Sequence, residues 1–224
     1  MKTKTTFSRL IAITALTATP VWAYEAGDMI VRAGLTTVAP DDSSSAVAIN
    51  GGKVDGSGLE VDNNTQIGLT GIYMLDSNLG IELLAATPFD HTAKATGTLA
   101  AVGNVADVKH LPPTLSAIYY FDSKSTFKPY IGAGINYTVF FSEDLASDAE
   151  SALGTGSVEL DDSWGLALQA GADYAINENW HINASVRWID IDTEATVKLD
   201  SGAVITGDVE IDPYVYTISA GYKF

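Results

Sequence analysis

Imidazole and thiol groups, the side chains best suited to proton transfer and nucleophilic attack near neutral pH, are few. The 224-residue chain has three histidines, His91, His110 and His181, and no cysteine. Thiol catalysis, thiolate metal sites and disulfides are therefore excluded. The stretch "HINAS" sets His181 and Ser185 four residues apart. On a strand they would share one face but stand about 13 Å apart, at roughly 3.4 Å per residue. A base must reach its hydroxyl through a hydrogen bond, so the pair cannot cooperate. His91 and His110 mark the two ends of one long connection, with Asp90 and Asp107 beside them and no serine next to either. Such a group could hold a metal, yet it has no ordered ligand spacing, and no cofactor motif is present. The expectation is a protein that is not an enzyme.

Carboxylates are the abundant group. "SEDLASDAE" (142–150) and "ELDD" (159–162) are the densest stretches, and neither has the spacing of a calcium loop. They could bind divalent cations, favour cationic over anionic solutes nearby, or form a solvated, repulsive surface. The other charges of interest, Arg32, Glu82, Lys128, Asp173, Arg187 and Lys223, occur singly inside alternating segments. What they do depends on the elements that carry them.

Residues 1–23 have a basic start (Lys2, Lys4, Arg9), an apolar run from Leu10 to Ala18, and a small-residue site at Val21–Ala23. This is the pattern of a secretory signal peptide, leaving an exported domain over 24–224. That domain has nine Lys+Arg against 28 Asp+Glu, a net charge near −19. Such a balance argues against nucleic acid, which needs a basic footprint. The longest uncharged run, Pro129 to Ser142, is interrupted by Gly, Asn and Thr and is too short for a membrane helix. A membrane protein without helices must be a closed barrel, because lipid cannot satisfy an open sheet edge.

Period-two patterning supplies the strands. In "FKPYIGAGINYTVFF" every odd position from Phe127 to Phe141 is apolar, with Lys128, Gly132, Gly134, Asn136 and Thr138 among the residues between. The same alternation runs through Trp164–Tyr174, Trp180–Trp188 and Tyr214–Phe224. Eight strands are predicted, near 29–39, 65–74, 79–86, 113–121, 127–141, 163–175, 180–196 and 211–224. Tight turns at 75–78, 122–126 and 176–179 alternate with long connections at 40–64, 87–112, 142–162 and 197–210. An even strand count with short turns at one end and long loops at the other predicts an all-β, eight-stranded antiparallel up-and-down transmembrane β-barrel. By parity the outward face carries no charge except Asp190 at a rim, and aromatics collect at both strand ends as interfacial girdles.

The blocks "NNTQIGLTGIYMLDSNLGIELLAATPF" (63–89), "LPPTLSAIYYF" (111–121), "KPYIGAGINYTVFF" (128–141), "DSWGLALQAGADY" (162–174), "IDIDT" (189–193) and "DPYVYTISAGYKF" (212–224) together resemble the OmpW family of bacterial outer membrane proteins. The resemblance implies a barrel in the Gram-negative outer membrane with periplasmic termini. It also implies a narrow channel for passive uptake of small, mainly hydrophobic molecules. Tyr222 and the terminal Phe224 are similar to the signal read by the outer-membrane assembly machinery.

Parity then gives a map of the lumen. Leu84, Phe140, Ile189, Ile191 and Val215 would form an apolar vestibule near the long-loop end, or merely pack beneath the loops. Arg32, Glu82, Lys128, Asp173, Arg187 and Lys223 would form a constriction below it, or merely fill a narrow barrel. His181 reads as an inward residue at the short-turn rim. Pro88, Pro112 and Pro113 cannot donate to a ladder, so their hairpin should be unzipped near the outer surface. That gap is either a lateral opening towards lipid or simply where strands begin and end. A non-conducting surface scaffold, receptor for phage or bacteriocin, or stress-envelope component is the alternative function.

Overall fold

The computed structural model describes residues 23–41 and 43–224. The signal-peptide expectation for 1–23 therefore falls, apart from Ala23, outside the described residues.

Eight strands form the barrel wall: β1 (Met29–Ala39), β2 (Asn64–Met74), β3 (Leu79–Ala86), β4 (Thr114–Tyr120), β5 (Phe127–Leu145), β6 (Ser163–Ala175), β7 (Trp180–Ile189) and β8 (Tyr214–Lys223). Each pairs antiparallel with its neighbours in sequence, and β1 closes on β8 with Ala33 opposite Ala220. Closure leaves no edge, as lipid demands. The tight turns are built by short polar side chains: Asp76 Oδ1 accepts from the amides of Asn78 and Leu79, and Asn177 Oδ1 from those of Asn179 and Trp180.

The alternation sorts residues by solvent. Leu35, Ile67, Leu83, Ile131, Leu166 and Ile218 stand exposed on the outer wall, while Arg32, Glu82, Asp173 and Arg187 are buried inside. A basic side chain facing mid-bilayer costs roughly 2–4 kcal/mol, so the sorting is imposed by the surroundings. Tyr73, Phe127, Tyr174, Trp180 and Phe224 girdle the short-turn end, and Trp164 and Tyr214 the other.

The long connections depart from expectation, because they are folded. Ser57–Val61, Phe89–Gly97 and Asn104–Leu111 pair in sequence and dock on the upper end of β5, where His110 lies opposite Phe140. Gly156–Leu160, Asp192–Leu199 and Val204–Glu210 form a second sheet. The expected seventh strand, 180–196, is thus divided at Asp190–Ile191: its lower part belongs to the barrel and its upper part to this second sheet. Strand β5 runs past its expected end through a bulge between Phe141 and Asp144, with Ser142 at φ 51°. The bulge resets parity, so that Phe140 and Leu145 both face inward.

Candidate functional site

The lumen is layered from the short-turn end upward. The lowest layer is an apolar and aromatic cap containing Tyr24, Ile30, Ile72, Met74, Ile118, Tyr120 and Tyr130. Tyr24 tilts against Tyr120, 4.7 Å between ring centroids, and its hydroxyl donates to Asp173 Oδ2 at 2.6 Å.

Above the cap lies a charged plug. Arg32 donates to Asp173 at 2.6 Å, reaches Glu82 at 3.4 Å and Tyr120 Oη, and its Nε donates to His181 Nε2 at 3.2 Å. Arg187 donates to Glu82 Oε1 at 2.6 Å and to Gln169 Oε1 at 2.7 Å, while Gln169 Nε2 returns a bond to Glu82 Oε1 at 2.8 Å. Asn183 Nδ2 donates to Asp173 Oδ1 at 2.8 Å. Two guanidinium groups thus face two carboxylates, and uncharged side chains take further bonds, the condition under which buried ions are tolerated. Two glycines make the close packing possible. A Cβ on Gly221 would stand 2.1 Å from His181 Nε2, and one on Gly171 would stand 2.6 Å from the Tyr130 ring.

Four of the six expected constriction residues, Arg32, Glu82, Asp173 and Arg187, meet in this plug. Lys128 and Lys223 do not. Lys128 Nζ donates to Ser123 O at 2.8 Å in a tight turn, and Lys223 Nζ reaches Ala23 O at 3.0 Å and Asp28 at 3.5 Å. His181, read as a rim residue, is 0% exposed and belongs to the plug. Tyr120, Tyr130, Gln169 and Asn183 were missed. All four are inward by parity, but they carry no formal charge to mark them.

An apolar floor covers the plug: Val38, Phe89, Ala167, Ile189, Ile191 and Val215, with Ala86, Phe140 and Ile211 packed against them. On this floor, between the two outer sheets, lies a cavity of about 1370 Å³ including its opening. Its walls are mostly aliphatic and come from the connections rather than the barrel, with Leu59, Val61, Ala93, Ala95, Val108, Val197 and Val209 prominent. Of the expected vestibule residues, Phe140 and Ile191 line the cavity, Ile189 and Val215 lie in its floor, and Leu84 is buried in the lumen wall outside the cavity lining.

His91 and His110, remote in sequence, stack at the cavity wall, 5.0 Å between centroids and 24° between planes. Phe89 lies 5.5 Å from His110 and Phe140 lies 5.8 Å from it. Burial holds both imidazoles below their ordinary range, His110 down to about 3, where its neighbour His91 adds to the effect.

The ladder between β3 and β4 ends where Leu84 faces Thr114, and pairing resumes only where Phe89 faces His110. Pro88, Pro112 and Pro113 fall within that interruption. Its other side stays closed, since Tyr137 N and Asn136 Nδ2 donate to Pro113 O. The break is therefore a local slot and not an open hairpin. Beside it Leu83, Ala85 and Leu115 face outward, and Phe89, 1% exposed, stands behind it.

Acidic residues populate the outer surface of the folded connections. Asp190, Asp192 and Asp212 bring carboxylate oxygens within 4.8 Å of one another. Partial burial and the neighbouring acids raise the Asp192 carboxyl above its ordinary range.

This architecture has relatives. The model of the OmpW family matches residues 25–224. The chain is 47% identical over 223 residues to Outer membrane protein W of Vibrio cholerae, covering 99% of this chain and 100% of that protein. It is 28% identical over 207 residues to the dibenzothiophene metabolism operon protein PahQ of Pseudomonas aeruginosa, covering 92% and 93% of the two chains. The crystal structure of the outer membrane protein OprG from Pseudomonas aeruginosa superimposes with a TM-score of 0.85 at 47% identity, covering 91% of this chain and 99% of that one. The eight-stranded wall, the plug and the folded connections therefore belong to a member of the OmpW family, a β-barrel of the Gram-negative outer membrane.

Proposed function

We propose that the protein carries small, mainly hydrophobic molecules passively across the outer membrane, without catalysing their conversion. The observation that carries this reading is the apolar cavity standing above a filled lumen. A solute entering it from water gains roughly 25 cal/mol for each Å² of apolar surface buried. The way straight down crosses buried ion pairs, and breaking each costs about 3–5 kcal/mol. The exit is therefore sideways. Displacing the Phe89 ring would connect the cavity floor to the slot at Pro88, Pro112 and Pro113, and from there to lipid. The relative named for a dibenzothiophene metabolism operon fits cargo of this kind, since dibenzothiophene is a flat apolar aromatic.

Liposomes containing the refolded protein test the reading. An apolar solute should enter faster than in empty vesicles, and a polar solute of similar size should not. Ala93→Trp, which fills the cavity, should abolish the difference while the barrel still shows heat-modifiable migration on a gel. Entry of the polar solute would mean a wet lumen. Entry of neither would leave the second reading, a non-conducting scaffold or receptor. The bonding within the plug favours that reading, and the acidic outer surface would then offer the contact for lipopolysaccharide-bridging cations, phage or bacteriocin. In either case removal of residues 1–23 as a signal peptide, and recognition of Tyr222 and Phe224 by the assembly machinery, complete the proposed route to a membrane orientation with periplasmic termini.

A further inference from the structure

We infer that the cavity grips an apolar solute by a hydrogen-bond-donating end, with His91 Nε2 as the acceptor. Its preferred cargo is thus an un-ionised monofunctional donor such as a medium-chain alcohol, and not a plain hydrocarbon. The inference rests on the proposed uptake function and refines its substrate class.

The argument starts from what the cavity wall offers. Its polar side chains are His91, His110, Thr138, Thr193 and Thr206. The Thr138 and Thr193 hydroxyls are already bonded, donating to Asn136 Oδ1 and to Asp161 O at 2.7 Å, so neither is left unsatisfied without a solute, and Thr206 is only half-buried. His91 is different. The side chain is 5% exposed, and among the described residues its Nε2 is buried with no hydrogen-bond partner.

The tautomer follows from its other nitrogen. His91 Nδ1 lies 2.6 Å from the backbone oxygen of Asp62, and a carbonyl oxygen only accepts, so Nδ1 carries the proton. Asp62 Oδ1, 3.6 Å from the same nitrogen, favours the same assignment. In an uncharged ring Nε2 then presents a lone pair. Burial keeps the ring uncharged at neutral pH, and the stack with His110 fixes its plane. A buried acceptor left unbonded is costly, and a donor delivered by the solute removes that cost.

The surroundings narrow the class further. An ionised head would bring an unpaired charge among aliphatic walls, so the donor must be neutral. A metal ion is a poorer fit. The described residues bring three metal-capable side chains together only at Asp190, Asp192 and Asp212, away from these histidines.

The test compares two isomers of equal size in lipid nanodiscs, n-octanol, which donates, and heptyl methyl ether, which only accepts. Empty nanodiscs correct for partition into lipid. The alcohol should bind about threefold to tenfold more tightly, the worth of one net hydrogen bond. His91→Phe should remove that preference while ether binding stays, and His91→Gln, which restores an acceptor, should recover part of it. Independently of any variant, the ¹⁵N resonance of His91 Nε2 should move with n-octanol and stay still with the ether. Equal affinity of the isomers for the unsubstituted protein, or an unmoved resonance, overturns the inference and leaves the uptake function standing. Binding of neither isomer overturns both.

Discussion

Arg32 is the residue on which the plug turns, since among the described residues its guanidinium pairs with both Glu82 and Asp173. Replacing it with leucine leaves Asp173 without its guanidinium and Glu82 with only Arg187. Removing one partner of a buried pair typically costs about 3–5 kcal/mol. Arg32→Leu should lower the unfolding midpoint in urea accordingly, followed by tryptophan fluorescence in vesicles. Parity alone marked Arg32, Glu82, Asp173 and Arg187 as inward, because a lipid-facing charge is forbidden. It could not say that they meet. Which inward residues share a level depends on the register of every ladder around the wall, and no single segment contains that information. Lys128 and Lys223 show the consequence, being inward by parity yet bonded to the short-turn end. His181 shows the converse. Its place in the plug needs the missing side chain of Gly221 on the neighbouring strand.

At the scale of elements, the barrel strands were legible and the outer sheets were not, for one physical reason. The strand signal used was an oily face turned to lipid. Above the membrane the same alternation continues with its sense reversed. In Phe89–Gly97 the inward positions are Phe89, His91, Ala93 and Ala95, and the outward ones include Asp90 and Lys94. Small inward residues and charged outward ones read as a polar loop. The prolines did mark a real break in pairing, but a short one, since the hairpin closes again above it.

The buried histidines make this hairpin sensitive to acid. Opened, each would titrate near 6.5, whereas in place His110 titrates at about 3 and His91 is also lowered. The open form therefore takes up protons first. Stability of the hairpin is complete above pH ~6.5 and is lost as pH falls from there towards 3. Asp62, Asp90 and Asp107 flank these rings. Between pH 7 and pH 5 amide exchange across Phe89–Gly97 and Asn104–Leu111, corrected for the intrinsic rate, should rise at least about tenfold by proton linkage. An unchanged corrected rate would mean that the two rings are already open to solvent.

For the whole molecule, the layers act in series. Aromatic cap, charged plug and apolar floor fill the lumen of an eight-stranded wall, whose interior is narrow to begin with. In planar bilayers the protein should show no stepwise ion current across the physiological voltage range, even in vesicle preparations that take up apolar solutes. Steady single-channel steps would show that the plug rearranges in the membrane. The closed eight-strand order needed only the alternation of short and long connections, whereas the cavity, built from those connections, appeared only in three dimensions.

The reversal of facing between wall and outer sheets also fixes where the protein sits. Along β7 and onward, Val186 faces lipid, Arg187 and Ile189 face inward, and Asp190 is the first outward charge, after which Asp192 and Glu194 follow on the same face. Sinking the barrel by two residues would drag Asp190 and Asp192 towards hydrocarbon, and raising it by two would lift an oily ring into water. Strand β7 thus carries its own waterline. Because closed pairing ties β7 to the other seven strands, the barrel cannot shift along the membrane normal without a penalty at this mark. The chain specifies not only a shape but the thickness of the film in which that shape is stable.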